Sequence, residues 1–359
     1  MKPFYNILVI NSGSTSTKVA VFHDFEEISN KTLEHSSQVL EQFHSQQEQI
    51  PFRTEAVRNY IQELGLLITD FDAFVGRGGS IAAFQAGAYE VNDAMIDAVY
   101  HPRDGRTPGA SWNACVIAHT LASEAGKKAY IYDAVSTDEM TEIARYSGYK
   151  EIVRKAAAHT LNTKAVARKV AADHGKEYRD CNYVITHLGG GISTSAHRKG
   201  RIIDMVCDDE GTFSPERAGK VPCSTLIDLC YSGRYTYREM KGIMRGRGGL
   251  VSYLGTNSAK EVEARIQSGD TEAKTVYEAM AYQIAKDIGS MAAVMGFALD
   301  GIILTGGIAY SGLLTGMITS YVENLAPVTV VPGSFEMEAL AGGIVRVLRG
   351  EEEVRVFDR

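Results

Sequence analysis

Three short glycine-rich stretches each follow an apolar run, and each has the composition of a turn that could meet a ligand. The first is Asn11-Ser12-Gly13-Ser14-Thr15-Ser16-Thr17, with Lys18 directly after it. Consecutive backbone N–H groups in a tight Gly/Ser turn form a concavity suited to phosphate oxygens. Ser14, Thr15, Ser16 and Thr17 add hydroxyl donors, Lys18 adds a point charge, and Asn11 offers an oxygen to a metal ion or its water. The second stretch is His187-Leu188-Gly189-Gly190-Gly191-Ile192-Ser193-Thr194-Ser195, whose three consecutive glycines let the backbone approach a ligand closely. The third, Thr305-Gly306-Gly307-Ile308, would let a flat ring lie against the backbone. An ordinary hairpin tip has the same composition as the first turn, so spacing alone leaves both readings open there. The pattern G-x-x-x-x-G-K-[ST] does not occur.

Two arginines stand where an anion would be held. Arg77 lies in Gly76-Arg77-Gly78-Gly79, directly after the apolar pair Phe74-Val75, and Arg217 lies in the loop Phe213-Ser214-Pro215-Glu216-Arg217-Ala218-Gly219. A guanidinium is a planar fork that matches carboxylate or phosphate oxygens. A purely structural arginine is the competing reading for each. Asp133 follows Ala129-Tyr130-Ile131-Tyr132. Carboxylates at the carboxyl ends of strands line the clefts of α/β proteins, whereas a turn or helix-capping aspartate is the alternative. His159 precedes a helical stretch, and His187 ends a strand before the triple glycine. Glu336 and Glu338 open the last helical pattern, where they either favour the helix dipole or serve a metal ion. No His/Cys/Asp set has zinc spacing, no G-x-S-x-G elbow appears, and no G-x-G-x-x-G follows a strand. Metallohydrolase, α/β-hydrolase and dinucleotide-dependent dehydrogenase readings therefore lack support.

These residues need elements to position them. Ile7-Leu8-Val9-Ile10 reads as a strand buried on both faces, the segment 11–17 as a turn, and Lys18-Val19-Ala20-Val21-Phe22 as a second strand. Half a chain later Tyr183-Val184-Ile185-Thr186, the turn 187–195 and Arg201-Ile202-Ile203-Asp204 repeat the order strand, turn, strand. That recurrence suggests an internal duplication with one copy in each of two domains. Val276, Met280, Ile284, Ile288, Met291 and Met295 recur at three- and four-residue steps, which predicts an amphipathic helix over about 272–298 with the methionines as core fillers. Further helices are expected at 54–65, 92–100, 110–125, 160–174, 312–324 and 336–349. Helices alternating with short apolar strands indicate an α/β fold. The densest irregular stretch is 204–223.

Composition bounds the rest. A chain of 359 residues suits two domains better than one. Its net charge of −7 argues against nucleic-acid binding, and no apolar run approaches the roughly 20 residues of a membrane span. Five scattered cysteines without a C-x-x-C pair suggest reduced thiols, and the four-residue apolar run near the N-terminus is too short for a secretory h-region. A cytoplasmic location is expected.

At this level of detail the chain resembles a known family. Ile10-Asn11-Ser12-Gly13-Ser14-Thr15-Ser16-Thr17-Lys18 is similar to the opening motif of the acetokinase family, His187-Leu188-Gly189-Gly190-Gly191 to its second phosphate motif, and Thr305-Gly306-Gly307-Ile308 to its adenosine motif. The wording Phe213-Ser214-Pro215-Glu216-Arg217, the form Gly76-Arg77-Gly78-Gly79 and the short chain most resemble the branch of that family acting on butyrate. The resemblance runs from residue 7 to about 345.

The resemblance implies two duplicated α/β domains of the actin-like ATPase, ribonuclease H-like type, flanking a nucleotide cleft. The first would hold 1–155 together with the C-terminal helix 336–359, and the second 156–335. It implies reversible phosphoryl transfer between ATP and a short-chain carboxylate, giving ADP and an acyl phosphate, with magnesium. By the same resemblance Asn11 would sit near magnesium, with Ser14, Ser16 and Lys18 near the transferring phosphate. Gly189, Gly190, Gly191, Gly306 and Gly307 would contact the nucleotide. Arg77 and Arg217 would hold the carboxylate and the phosphoryl group. Asp133, His159 and His187 would complete the catalytic set, and the family's C-terminal glutamate would be Glu336, with Glu338 as the alternative. A homo-oligomer, at least a dimer, is also implied. The acidic-basic pair that holds adenosine in acetate kinases is not evident in Gly255-Thr256-Asn257-Ser258. Three alternatives remain: an acetate, propionate or branched-chain acid kinase of the same family, a hydroxyl kinase of the same superfamily using Asp133 as base, and a non-catalytic nucleotide switch of the actin or chaperone kind.

Overall fold

Ile7, Leu8, Val9 and Ile10 are all fully buried, and the strand they form sits in the middle of a sheet. The computed structural model describes residues 4–79, 81–102, 109–207 and 209–358. The chain folds as two compact units, Met1–Asp138 with Phe335–Arg359, and Glu139–Ser334.

In the first unit β1 (Asn6–Ser12), β2 (Ser16–His23) and β3 (Glu26–Glu34) form an antiparallel meander. β4 (Ala73–Gly76) runs parallel to β1. β5 (Ala88–Glu90) is a short strand antiparallel to β6 (Lys128–Tyr132), which is parallel to β4. The central order is therefore β3-β2-β1-β4-β6.

The second unit repeats it. β7 (Asn182–Leu188), β8 (Ile192–Arg198) and β9 (Arg201–Val206) form the meander, β10 (Gly301–Gly306) runs parallel to β7, and β11 (Val328–Pro332) parallel to β10. The order β9-β8-β7-β10-β11 matches that of the first unit strand for strand, in sense as well as position. The repeat read from two hairpins thus extends over five strands. A short β12 (Val354–Arg355) adds to the first sheet beside β5.

Helices cover these sheets. In the first unit α1 (Ile50–Glu63) lies against α2 (Ser111–Glu124), which packs on β1, β4 and β6. In the second unit α3 (Thr160–Asp173) packs on β7 and β10, while α4 (Thr271–Val294) crosses β7, β8 and β9 and also meets α5 (Gly312–Val322). Met280, Ile284, Ile288, Met291 and Met295 are buried in that core, so the methionines do fill it. The last helix, α6 (Glu336–Leu348), returns to the first unit and packs on β1, β4 and β6. Strands whose two faces both meet helices read as continuous apolar runs, which is the pattern of Ile7–Ile10.

The structure differs from the sequence reading at several places, among them four helices between Cys223 and Gln267 that were not expected. Residues 139–155, expected with the first domain, belong to the second unit, because Thr141 N donates to Ile203 O at 3.0 Å and Arg154 bonds Asp204 and Glu210 there. The turn expected over 187–195 is only Gly189–Gly191, and β8 begins at Ile192. Its hydroxyl-rich sequence suits a buried strand because those groups are paired, Thr186 with Thr194 at 3.0 Å and Ser195 with His197 at 2.8 Å. β3 and β11 went unread, the first because most of its side chains face solvent. α1 begins at Ile50 rather than 54, with Pro51 in its first turn, where a missing N–H costs nothing.

Candidate active site

The first unit gathers one set of residues at the carboxyl ends of three neighbouring parallel strands. Ile10 pairs with Gly76, and Gly76 with Ile131, so Asn11 near the end of β1 and Arg77 and Asp133 just after β4 and β6 come together at one edge. This is the edge at which open α/β sheets bind ligands. Gly76 is there for space: a Cβ on it would lie 2.3 Å from the Ala114 carbonyl oxygen of α2.

Arg77 is 6% exposed and held at several points. Its backbone N–H donates to Ile10 O at 2.9 Å, and Nη1 donates to the Asp133 carbonyl at 3.0 Å. Nη2 lies 3.5 Å from Oε1 of Glu336. Oε2 of the same carboxylate accepts a hydrogen bond from Asn11 Nδ2 at 2.8 Å. Glu336 therefore sits between Asn11 and Arg77, whereas Glu338 is exposed and faces Lys18 and Glu27. Asp133 is buried with φ of +40°, a conformation that costs a non-glycine residue of order 1 kcal/mol. Its Oδ1 accepts from Gly87 N at 2.9 Å. Asp133 thus meets Arg77 through its main chain, while its carboxylate serves the neighbouring loop. Beside this set the β1–β2 tip, Gly13–Thr15, is closed by Gly13 N donating to Ser16 O at 2.9 Å. Ser14 and Lys18 are exposed and Ser16 half-buried.

The second unit gathers its set at the corresponding edge, where His187 pairs with Thr305 at the ends of β7 and β10. The His187 ring stacks on that of His159, with centroids 3.9 Å apart and planes 8° from parallel. His159 Nδ1 is 2.9 Å from Ser193 Oγ. Burial, and after it the neighbouring His159, hold His187 well below its ordinary pKa, so its imidazole is neutral. Asn162 Nδ2, from the first turn of α3, lies 3.0 Å from His187 Nδ1. An amide nitrogen only donates, so Nδ1 accepts and the proton is on Nε2. That Nε2 faces the triple glycine: a Cβ on Gly189 would lie 3.2 Å from it. Asn162 escaped the sequence reading; its one signal is a place three residues after His159.

The tip Gly189–Gly191 is tied to the loop carrying Arg217. Ser214 Oγ donates to Gly190 O at 2.6 Å and accepts from Arg217 N at 3.2 Å. The loop is pinned further back by the buried Asp287 of α4, which accepts from Thr212 N and Lys220 Nζ, both at 2.6 Å. Burial raises the Asp287 pKa, and Lys220 opposes that rise. Glu216 lies 3.7 Å from Arg217 and accepts from Asn257 Nδ2 at 2.7 Å, which brings the 255–258 segment to the same loop. Gly306 has φ of +94°, and a Cβ there would lie 2.4 Å from Leu188 O, so only glycine lets β10 end against β7. Gly307 is exposed beside it.

Residues 130–315 match the sequence model of the acetokinase family. Butyrate kinase 2 of Clostridium acetobutylicum is 45% identical over 355 residues, spanning 98% of this chain and 99% of that protein. The chain belongs to the acetokinase family. Two solved structures share its fold at low identity. The acetate kinase of Porphyromonas gingivalis superimposes with a TM-score of 0.79 at 17% identity, over 96% of this chain and 100% of that one. A propionate kinase from Francisella tularensis gives 0.77 at 18%, over 94% and 98%. This acetokinase-family member thus shares the two-sheet α/β fold of those kinases. Among the described residues no helix is long and apolar enough to cross a membrane.

Proposed function

We propose that this chain is a short-chain fatty acid kinase that transfers a phosphoryl group reversibly between ATP and butanoate, giving ADP and butanoyl phosphate. The observation that carries this reading is the 45% identity, along nearly the whole of both chains, to a butyrate kinase.

The site chemistry supports it. A carboxylate is already ionised near pH 7 and needs no general base. It is repelled by the phosphate it attacks, so catalysis rests on positioning and charge neutralisation. Arg77 and Arg217 are assigned to the carboxylate and the transferring phosphoryl group. His187 donates from Nε2 to a phosphoryl oxygen as a neutral imidazole, which keeps its proton throughout. The tips Gly13–Thr15 and Gly189–Gly191 carry phosphate, and Gly306-Gly307 the adenine side. The attacking carboxylate oxygen forms its bond to phosphorus as the bond to the ADP oxygen breaks, in line and without a phospho-enzyme.

Among the described residues no group of three His, Cys, Asp or Glu side chains is arranged to hold a metal ion. Asn11 and Glu336 offer oxygen donors only, which fits magnesium bound mainly through nucleotide phosphates and water. Those two residues would hold it, Glu336 through the carboxylate that already meets Asn11. When bound, the ion neutralises charge on the nucleotide phosphates.

A hydroxyl kinase needs a carboxylate base at the acceptor. Asp133 suits that role poorly, being 1% exposed with Oδ1 given to Gly87 N. All five cysteines are unbridged, in keeping with a cytoplasmic protein. The homo-oligomer reading rests on family resemblance, and light scattering at micromolar concentration checks it.

The deciding experiment traps acyl phosphate with hydroxylamine across acids of two to six carbons. One methylene in an apolar pocket discriminates by about 1–3 kcal/mol, so kcat/KM should peak at four carbons, tolerate propionate, valerate and isobutyrate, and fall modestly for acetate. Acetate giving the highest kcat/KM would overturn the butanoate assignment. ATP binding without turnover of any acid would favour the nucleotide switch.

A further inference from the structure

Arg53, near the start of α1, is completely buried. Its guanidinium makes five hydrogen bonds, matching its five N–H donors. Nη1 donates to Ser16 O at 2.9 Å and Thr17 Oγ1 at 3.0 Å. Nη2 donates to Ser14 O at 3.0 Å and Gln49 Oε1 at 2.9 Å, and Nε to the same Gln49 oxygen at 3.1 Å. Every one of these acceptors is neutral. No ion pair to Arg53 occurs among the described residues. Burial lowers its pKa, yet a guanidinium starts so high that it stays charged.

The neighbouring His35 completes the arrangement. Thr17 Oγ1 accepts from Arg53 and is also hydrogen-bonded to His35 Nε2 at 2.9 Å. Burial, and then the Arg53 charge, lower the His35 pKa, so the imidazole beside the guanidinium is neutral. His35 N donates to Thr15 O at 2.8 Å. The carbonyls of Ser14, Thr15 and Ser16 are thus all bound from the protein side. In a planar trans peptide the C=O and the following N–H point in opposite directions. The N–H of Thr15, which follows the Ser14 carbonyl, therefore points away from Arg53.

We propose that Arg53 is a positioning residue of the Gly13–Thr15 tip: it turns the Thr15 N–H outward, and its buried, unbalanced charge is complemented by the terminal phosphoryl groups of the nucleotide. This rests on the phosphate-binding role given to the tip above. A buried cation without a counter-ion is costly to a fold, and an arriving polyanion supplies what the protein leaves out. Sequence reading passed Arg53 over because it resembles a solvent-facing arginine at a helix start.

The test compares dissociation constants for adenosine, ADP and ATP by calorimetry in the wild type, Arg53→Met and Arg53→Lys, with circular dichroism as the check of folding. The loss in Arg53→Met should grow with phosphate number, from under threefold for adenosine to tenfold or more for ATP. Arg53→Lys, which keeps charge but loses the fork, should recover part of the ATP loss. KM for the acid should stay within threefold. An equal loss for all three ligands, or ATP binding within threefold of wild type, would overturn the proposal. If neither arginine variant folds, Gln49→Leu leaves the guanidinium in place but removes the acceptor of two of its bonds, and the same ratios decide. Absence of turnover in the wild type with any acid would sink the kinase reading yet leave these ratios readable.

Discussion

Asn11 at the end of the first strand and Glu336 at the start of the last helix are joined by a 2.8 Å hydrogen bond across 325 residues of chain. Because Asn11 donates from Nδ2, its amide oxygen would be the atom to face the water of a magnesium ion bound as proposed. Glu336→Gln should raise the magnesium concentration for half-maximal rate at least severalfold, with little change in KM for the acid. Unaltered metal dependence would remove Glu336 from the magnesium site, and Glu338→Gln would be titrated next.

Arg77→Ala and Arg217→Ala should each lower kcat about a hundredfold to a thousandfold, the scale seen when a donor to developing charge is removed. Thermal unfolding should still be cooperative, since neither lies within a core cluster. A variant turning over at near wild-type rate would strike that arginine from the mechanism.

Asn162→Asp probes the His187 proton. The native amide donates to Nδ1 and so keeps the proton on Nε2. A carboxylate would instead accept from Nδ1, raise the His187 pKa, and leave Nε2 protonated only in the imidazolium. The variant's kcat/KM should therefore fall as pH rises through the new pKa. A pH–rate profile from 5.5 to 8.5 parallel to that of the wild type would contradict this tautomer.

Stability should fall on the acid side of neutrality. His35, His187 and His197 are each held below the ordinary value, chiefly by burial. As pH drops through about 6.5 the unfolded chain takes up protons that the folded protein refuses, so unfolding is favoured. Each group contributes up to about 1.4 kcal/mol per pH unit while it is protonated only in the unfolded state. Tm should be level between pH 7 and 8 and decline between 6.5 and 5.5. A Tm that climbs over that lower interval would refute the assignment.

What the sequence disclosed follows from how narrowly each position constrains its residue. Gly306 and Gly76 stand where any Cβ would strike backbone, and Arg77 stands between glycines at a strand end, so composition alone marked these places. Ile7–Ile10 announced a doubly covered strand. β8 was hidden because Ser193, Thr194 and Ser195 carry the polarity of a loop, and only tertiary pairing shows that they are buried. Asn162 and Arg53 were hidden for a related reason. Both work through partners distant in sequence, His187 and Thr305 for one and the first hairpin for the other. Residues 139–155 were misplaced because no glycine, proline or charge run marks the passage at Asp138.

The return of α6 to the first unit has a consequence for synthesis on the ribosome. Residues 139–334 are contiguous, so the second unit can complete its core as soon as they emerge. The first unit emerges earlier but lacks the helix that covers β1, β4 and β6 until residue 348 has left the exit tunnel. The half made first is therefore finished last. A nascent chain carrying only residues 1–138 would expose the apolar face that α6 later buries, and would be the stage most in need of a chaperone.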